Sequence, residues 1–222
     1  MSRFARDDPK ERYLMKIRSA TAIVVLCLGQ SVALGIVQFC QTNTGQAEIP
    51  FAQTSKAELN NYHVLLKTSM GDIELDLFPH FAPEHVRNFL RLSKLGFYDH
   101  TSWHRVIPGT IIQGGDLSTR VPPLNPDELA HYVHRLQPEF SQLRHEQGTL
   151  SMARAQPLDS AESSFFICVV PQPKLDEKYT IFGKVISGMD VVRKIASVAI
   201  GKNESPKKRV ELVKAEVIEI KP

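Results

Sequence analysis

The chain has 222 residues, 42% of them hydrophobic and 23% charged, with a formal net charge of +3. That balance fits a globular domain and excludes collagen-like, low-complexity and wholly disordered chains. Two of the three cysteines, Cys27 and Cys40, lie in one apolar run, which leaves Cys168 alone in the rest of the sequence and excludes a disulfide-stapled scaffold. Residues 1–18 carry +3, residues 19–60 carry −1 and residues 61–222 carry +1. The bulk of the chain therefore lacks the basic balance of a nucleic-acid binder.

No charged residue occurs between Arg18 and Glu48, and Ala20 to Phe39 supplies 20 consecutive mostly apolar positions. At about 1.5 Å per residue a helix of that length spans roughly 30 Å, the hydrocarbon thickness of a bilayer. Residues 19–40 are expected to form a transmembrane signal anchor. A cleaved signal peptide is the alternative, since Gly45-Gln46-Ala47 offers a small-x-small cleavage sequence. The basic cluster before the segment places residues 1–18 in the cytoplasm and the rest on the other side, facing a periplasm or the cell exterior. Residues 41–60 read as a flexible polar linker and residues 61–222 as the folded domain.

The domain opens with a hairpin, His63 to Thr68 and Asp72 to Leu77, alternating polar and apolar residues about a Ser69-Met70-Gly71 turn. Pro83 starts a helix whose stripe is Val86, Phe89, Leu90 and Leu95, and Gly96 stops it. Short β-rich pieces follow at 103–107, 110–113, 148–153, 164–170 and 179–185. A second helix covers 189–196 and a last strand 210–220. The spacing predicts a mainly antiparallel β domain, a barrel or sandwich, with about two helices. Asn125-Pro126-Asp127-Glu128 starts a further short helix inside the stretch 117–137.

Three segments combine strand residues with polar groups that a core would not tolerate alone: 103–109 (WHRVIPG), 112–116 (IQGGD), and 148–154 (GTLSMAR) with 163–167 (SSFFI). Arg105 alternates with Val106, so the two point to opposite faces, and the guanidinium needs an acceptor or a ligand. Together with LD (175–176), FGKV (182–185) and GMDVV (188–192), these segments make residues 62–222 resemble the cyclophilin-type peptidyl-prolyl cis-trans isomerases. The resemblance implies a closed eight-stranded antiparallel barrel capped by two helices, with a peptide groove on its outer face. It also implies rotation about an X–Pro bond, whose barrier of roughly 18–20 kcal/mol arises from amide resonance. No bond breaks, so neither cofactor nor metal is expected, only a site that binds the twisted amide better than either planar isomer.

Carried over residue by residue, Arg105 and Gln113 match the catalytic arginine and its neighbouring glutamine. Phe166 and Leu175 match walls of the proline pocket, and Ile111 stands where methionine is usual. Met152, Ala153 and Arg154 match the groove segment, with Ala153 presenting backbone groups to the peptide. Thr110 replaces a pocket phenylalanine, Ser164 a glutamine, Lys174 a tryptophan and Tyr179 a histidine. The expected partners are Pro-containing polypeptides folding outside the cytoplasm and the membrane holding the N-terminal helix, with no nucleic acid and a monomeric chain. The competing expectation is a catalytically weak module that binds Pro-containing clients, motivated by Thr110 and Ser164.

Phe165 reads as core, His104 as a satisfied structural histidine, and Lys202 to Arg209 as a solvated loop. His131, His134 and His145 lack the further ligands of a metal site. No G-x-S-x-G elbow accompanies Ser102, Ser151 or Ser163, which speaks against a serine hydrolase.

Overall fold

A computed structural model describes residues 49–220. The cytoplasmic segment 1–18, the transmembrane segment 19–40 and the first part of the linker lie outside the described residues. No helix among the described residues is long and apolar enough to cross a membrane.

The linker expectation fails from residue 49 onward. Ser55 Oγ accepts from the Glu58 N–H at 3.3 Å and the Glu58 carboxylate accepts from the Ser55 N–H at 2.8 Å. This capping box starts the short helix α1 (Lys56–Leu59). Leu59 is buried, Phe51 meets Tyr62 edge-on at 5.1 Å, and Arg87 donates to the carbonyls of Phe51 and Thr54, each at 2.6 Å. A few apolar and capping groups are enough to dock a mostly polar segment.

The hairpin forms as the alternation predicts, with β1 (Tyr62–Thr68) antiparallel to β2 (Gly71–Leu77). Val64, Leu66, Ile73 and Leu75 turn to the interior and are fully buried. Thr68 ties the turn by donating Oγ1 to Gly71 O at 2.6 Å and accepting from the Met70 N–H at 3.0 Å.

The remaining strands are β3 (Thr101–Ser102), β4 (Arg105–Ile107), β5 (Ile111–Gly114), β6 (Thr149–Met152), β7 (Phe165–Cys168), β8 (Ile181–Ser187) and β9 (Glu211–Glu219). They give a mainly β, half-barrel sheet in the order β3-β9-β1-β2-β8-β6-β7-β5-β4. The expected closed barrel of eight strands is therefore corrected to nine strands in an open order. The extra strand, β3, lies just before the stretch expected as one strand, 103–107, and the chain changes partner between Trp103 and His104. β3 pairs with β9 and β4 with β5, while between them the Trp103 N–H donates to Val210 O and the His104 N–H to Gln113 O.

Helices α2 (Pro83–Lys94) and α4 (Met189–Ala196) are the two expected against the sheet, and α3 (Pro126–Tyr132) is the helix signalled by Asn125. Ala82 gives α2 no side-chain cap, so the first-turn N–H groups find a remote one: Glu139 accepts from the N–H of Glu84 at 3.2 Å and of His85 at 3.0 Å. Before α4, Gly188 sits at φ 90°, and a Cβ there would lie 2.2 Å from Asp72 O, so only glycine fits. The core centres on Phe89, whose ring lies 5.3 Å from each of Tyr98, Phe165 and Phe182. Trp103 packs edge-on to Phe165 at 5.8 Å, closing the interior where the sheet changes partner.

Candidate active site

Strand register assembles the site. Arg105 of β4 stands opposite Gln113 of β5, Gln113 opposite Phe166 of β7, and Phe166 opposite Ser151 of β6. Cross-strand partners share a face, so this row emerges on one side of the sheet while Val106, Ile112, Phe165 and Ile167 go to the core. One residue pair along, Ile107, Ile111 and Cys168 make a parallel apolar row.

Arg105 donates through Nη1 to Gln113 Oε1 at 3.3 Å and through Nε to Glu204 Oε2 at 2.6 Å. Gln113 is in turn oriented by His104: the amide Nε2 donates to the ring Nε2 at 3.2 Å, which requires a neutral imidazole. His104 is therefore more than a satisfied structural residue, and its Nδ1 is buried without a partner among the described residues. Burial pushes His104 below the ordinary histidine value, Arg105 adds to this, and Asp116 opposes it.

A pH dependence follows. Unfolded His104 takes a proton near pH 6.5, folded His104 only at lower pH, so between the two the unfolded state binds more protons and stability falls as pH falls. His145, lowered mainly by its own burial, acts with the same sign. Urea unfolding is expected to show lower stability at pH 5.5 than at 7.5.

Beside the polar row lies an apolar cluster separate from the main core: Ile111, Phe166 and Cys168, with Ile107, Ala153, Leu175 and Tyr179 against it. Ile111 is 7% and Phe166 3% exposed. The part of the cluster open to solvent is mostly the rim of Ile107, Leu175 and Tyr179. Leu175 arrives on a 3₁₀ turn (Pro173–Leu175), and Tyr179 packs edge-on to Phe166 at 5.6 Å.

The other expected groove residues fall in different places. Thr110 is not in the apolar cluster, and its hydroxyl turns back toward Pro108 O at 3.4 Å. Met152 is buried in the main core. The Ala153 N–H already donates to Ser164 O at 2.8 Å, which leaves its carbonyl as the backbone group to offer a peptide. Arg154 donates to the carbonyls of Ala155, Gln156 and Lys178 and stacks over Tyr179 at 4.9 Å, bracing the loop under the rim. Ser164 lines an adjoining cleft of about 610 Å³ together with Gln113, Asp116, Ala153 and Glu162, walled by Leu129 and Val133 from α3 and the residue after it.

Two features escaped the sequence reading. Glu204, in a stretch expected to be a solvated loop, reaches Arg105. Behind Phe166, the buried His145 ring stacks at 6.0 Å and 10°, and its Nδ1 lies 3.0 Å from Asp176 Oδ1 while its Nε2 lies 3.1 Å from Ser151 Oγ. This Ser-His-Asp order is enclosed, with Ser151 and the His145 side chain fully buried, so it braces the pocket wall and exposes no nucleophile. The quoted L-D motif held Asp176, but only the fold reveals its partners.

The family model for cyclophilin type peptidyl-prolyl cis-trans isomerase/CLD matches residues 63–217. Peptidyl-prolyl cis-trans isomerase CYP18-2 of Arabidopsis thaliana is 36% identical over 160 residues, covering 70% of this chain and 93% of its own length. A peptidyl-prolyl cis-trans isomerase of Acinetobacter baylyi is 39% identical over 168 residues, covering 72% and 87%. The crystal structure of a Cryptosporidium parvum cyclophilin type isomerase, determined in the presence of the dipeptide Ala-Pro, superposes with a TM-score of 0.63 at 29% identity, over 72% of this chain and 99% of that one. With the family model matching residues 63–217 and relatives at 36% and 39% identity over most of their length, the chain belongs to the cyclophilin-type peptidyl-prolyl cis-trans isomerases.

Proposed function

We propose that Arg105 donates to the prolyl nitrogen or adjacent carbonyl of a bound X–Pro segment, while Ile107, Leu175 and Tyr179 seat the proline ring over Ile111 and Phe166. The observation that carries this reading is the row Arg105, Gln113, Phe166 alongside the separate apolar cluster. Planar amides keep the nitrogen lone pair in resonance; twisting localises it and makes it an acceptor, so a donor placed there favours the transition state over both isomers. The groove takes an extended Pro-containing peptide, with the cleft bounded by α3 receiving side chains before the proline.

The uncharged stretch 19–40 and the basic cluster before it support a membrane-anchored enzyme whose domain faces a periplasm or the cell exterior and acts on proteins folding there. Exchange NMR on an Ala-Pro peptide tests the chemistry, with acceleration of cis-trans exchange expected at catalytic enzyme concentrations. Binding without acceleration would replace this reading with that of a client-binding module. Mass spectrometry of the membrane-extracted protein tests the anchor, and a mature chain starting near Glu48 would overturn it.

Thr110 stands outside the apolar cluster and brings no ring to it, which favours a weaker hold on the proline ring. Thr110→Phe is expected to lower KM about fivefold, the effect of adding about 1 kcal/mol of apolar contact with the proline ring. Titrating the peptide against both proteins checks this.

A further inference from the structure

Glu204 is set apart by where it sits and by what holds it there. It ends a 3₁₀ turn (Lys202–Glu204) in which Asn203 and Glu204 have φ of 57° and 59°. Both lie in the left-handed region, which asparagine tolerates and glutamate seldom adopts. The turn is fastened to the residue before Arg105 by Ser205 Oγ, which donates to His104 O at 2.9 Å, and it is closed on itself by the Gly201 N–H donating to Ser205 O at 2.7 Å and the Lys207 N–H to Ala199 O at 2.8 Å. From this platform the carboxylate takes the Arg105 Nε–H at 2.6 Å.

Stability does not account for the arrangement. Both side chains are 41% exposed, and an ion pair so open to solvent contributes little to folding. A glycine at residue 204 would adopt the same backbone without strain. The carboxylate is held instead where it governs the rotation of the guanidinium. With Nε fixed by Glu204 and Nη1 by Gln113, the plane of the group is set from two sides, and its remaining N–H groups have no hydrogen-bond partner among the described residues.

We infer that Glu204 is a positioning residue for isomerisation, acting through Arg105 by pre-orienting the guanidinium toward the twisted amide. This rests on the proposed role of Arg105. The test uses the full chain, the variants Glu204→Gly, Glu204→Gln and Arg105→Ala, an Ala-Pro peptide, and three readouts: kcat and KM separately, the thermal midpoint, and the Arg105 Nε–H resonance in 15N NMR.

Glu204→Gly is expected to lower kcat roughly tenfold, the scale of a misdirected catalytic group, while leaving KM and the thermal midpoint at or above their wild-type values. The Nε–H resonance shifts and exchanges faster. Glu204→Gln, which keeps an acceptor but no charge, falls between. Wild-type kcat in Glu204→Gly alongside a crippled Arg105→Ala would overturn the inference and leave the role of Arg105 standing. Loss of kcat in step with loss of thermal midpoint would reduce Glu204 to a structural residue. Wild-type kcat in Arg105→Ala would remove the reading beneath both.

Discussion

Arg105→Ala is expected to lower kcat/KM for X–Pro isomerisation by about 10²–10³, the range seen when one preorganised donor is removed from a developing charge. The thermal midpoint is expected to move by at most about 4 °C, because the Arg105–Glu204 pair is exposed and such pairs contribute about 0–1 kcal/mol. The separation of the two effects is the point of the measurement. The ion pair does not lock the arginine away: it occupies Nε, Gln113 occupies one Nη1 hydrogen, and the rest of the fork stays open on a half-exposed face. Arg105→Lys is expected to recover little of the lost rate, since an ammonium cannot hold Glu204, Gln113 and the amide in one plane. Exchange rates of a single peptide, compared across the three proteins at equal concentration, decide it, and a wild-type rate in Arg105→Ala would exclude the guanidinium from the chemistry.

What the sequence made legible was whatever depends on local period. Val64, Leu66, Ile73 and Leu75 announce a two-faced hairpin, Pro83 and Gly96 bracket a helix, and Arg105 beside Val106 sends a guanidinium outward. The split of Phe165 into the core and Phe166 into the pocket cluster follows from the same alternation. Partnerships across long separations were not legible. Glu204 lies 99 residues beyond Arg105, and Glu139 lies 55 beyond the helix turn it caps; neither carries a local signal because each acts through a single carboxylate on a loop. The strand count failed for a related reason. The sequence pattern marks residues 103–107 as extended but shows neither the two-residue strand β3 before them nor that the chain trades β9 for β5 between Trp103 and His104. The docking of residues 49–60 turned on a four-residue capping box whose weight depends on Leu59 and Phe51 finding the domain.

Asp176→Ala is expected to cost the fold heavily although the residue bears a charge and sits beside the site. Its Oδ1 accepts from the His145 N–H at 2.8 Å and from the His145 ring at 3.0 Å, and its Oδ2 from Arg144 at 3.1 Å. Burial favours neutral His145, so the ring donates through Nδ1, while its Nε2 lies 3.1 Å from Ser151 Oγ, whose hydroxyl donates to Thr180 O at 3.0 Å; the backbone and side-chain hydrogen bonds from His145 pull the Asp176 carboxyl down to about 2. Asp176→Ala strands two donors of a buried histidine, at about 1–3 kcal/mol each. The expected loss is about 2–4 kcal/mol in urea unfolding, or about 5–12 °C in thermal midpoint. Asp176→Asn keeps an oxygen for both donors and gives up the exposed link to Arg144, so its cost stays near 1 kcal/mol. Because the His145 ring lies flat against Phe166, Asp176→Ala also loosens the pocket wall and raises KM for the peptide while Arg105 remains in place to act on whatever binds. Equal losses in the two variants would instead assign the effect to the carboxylate's charge and not to the pairing of buried donors.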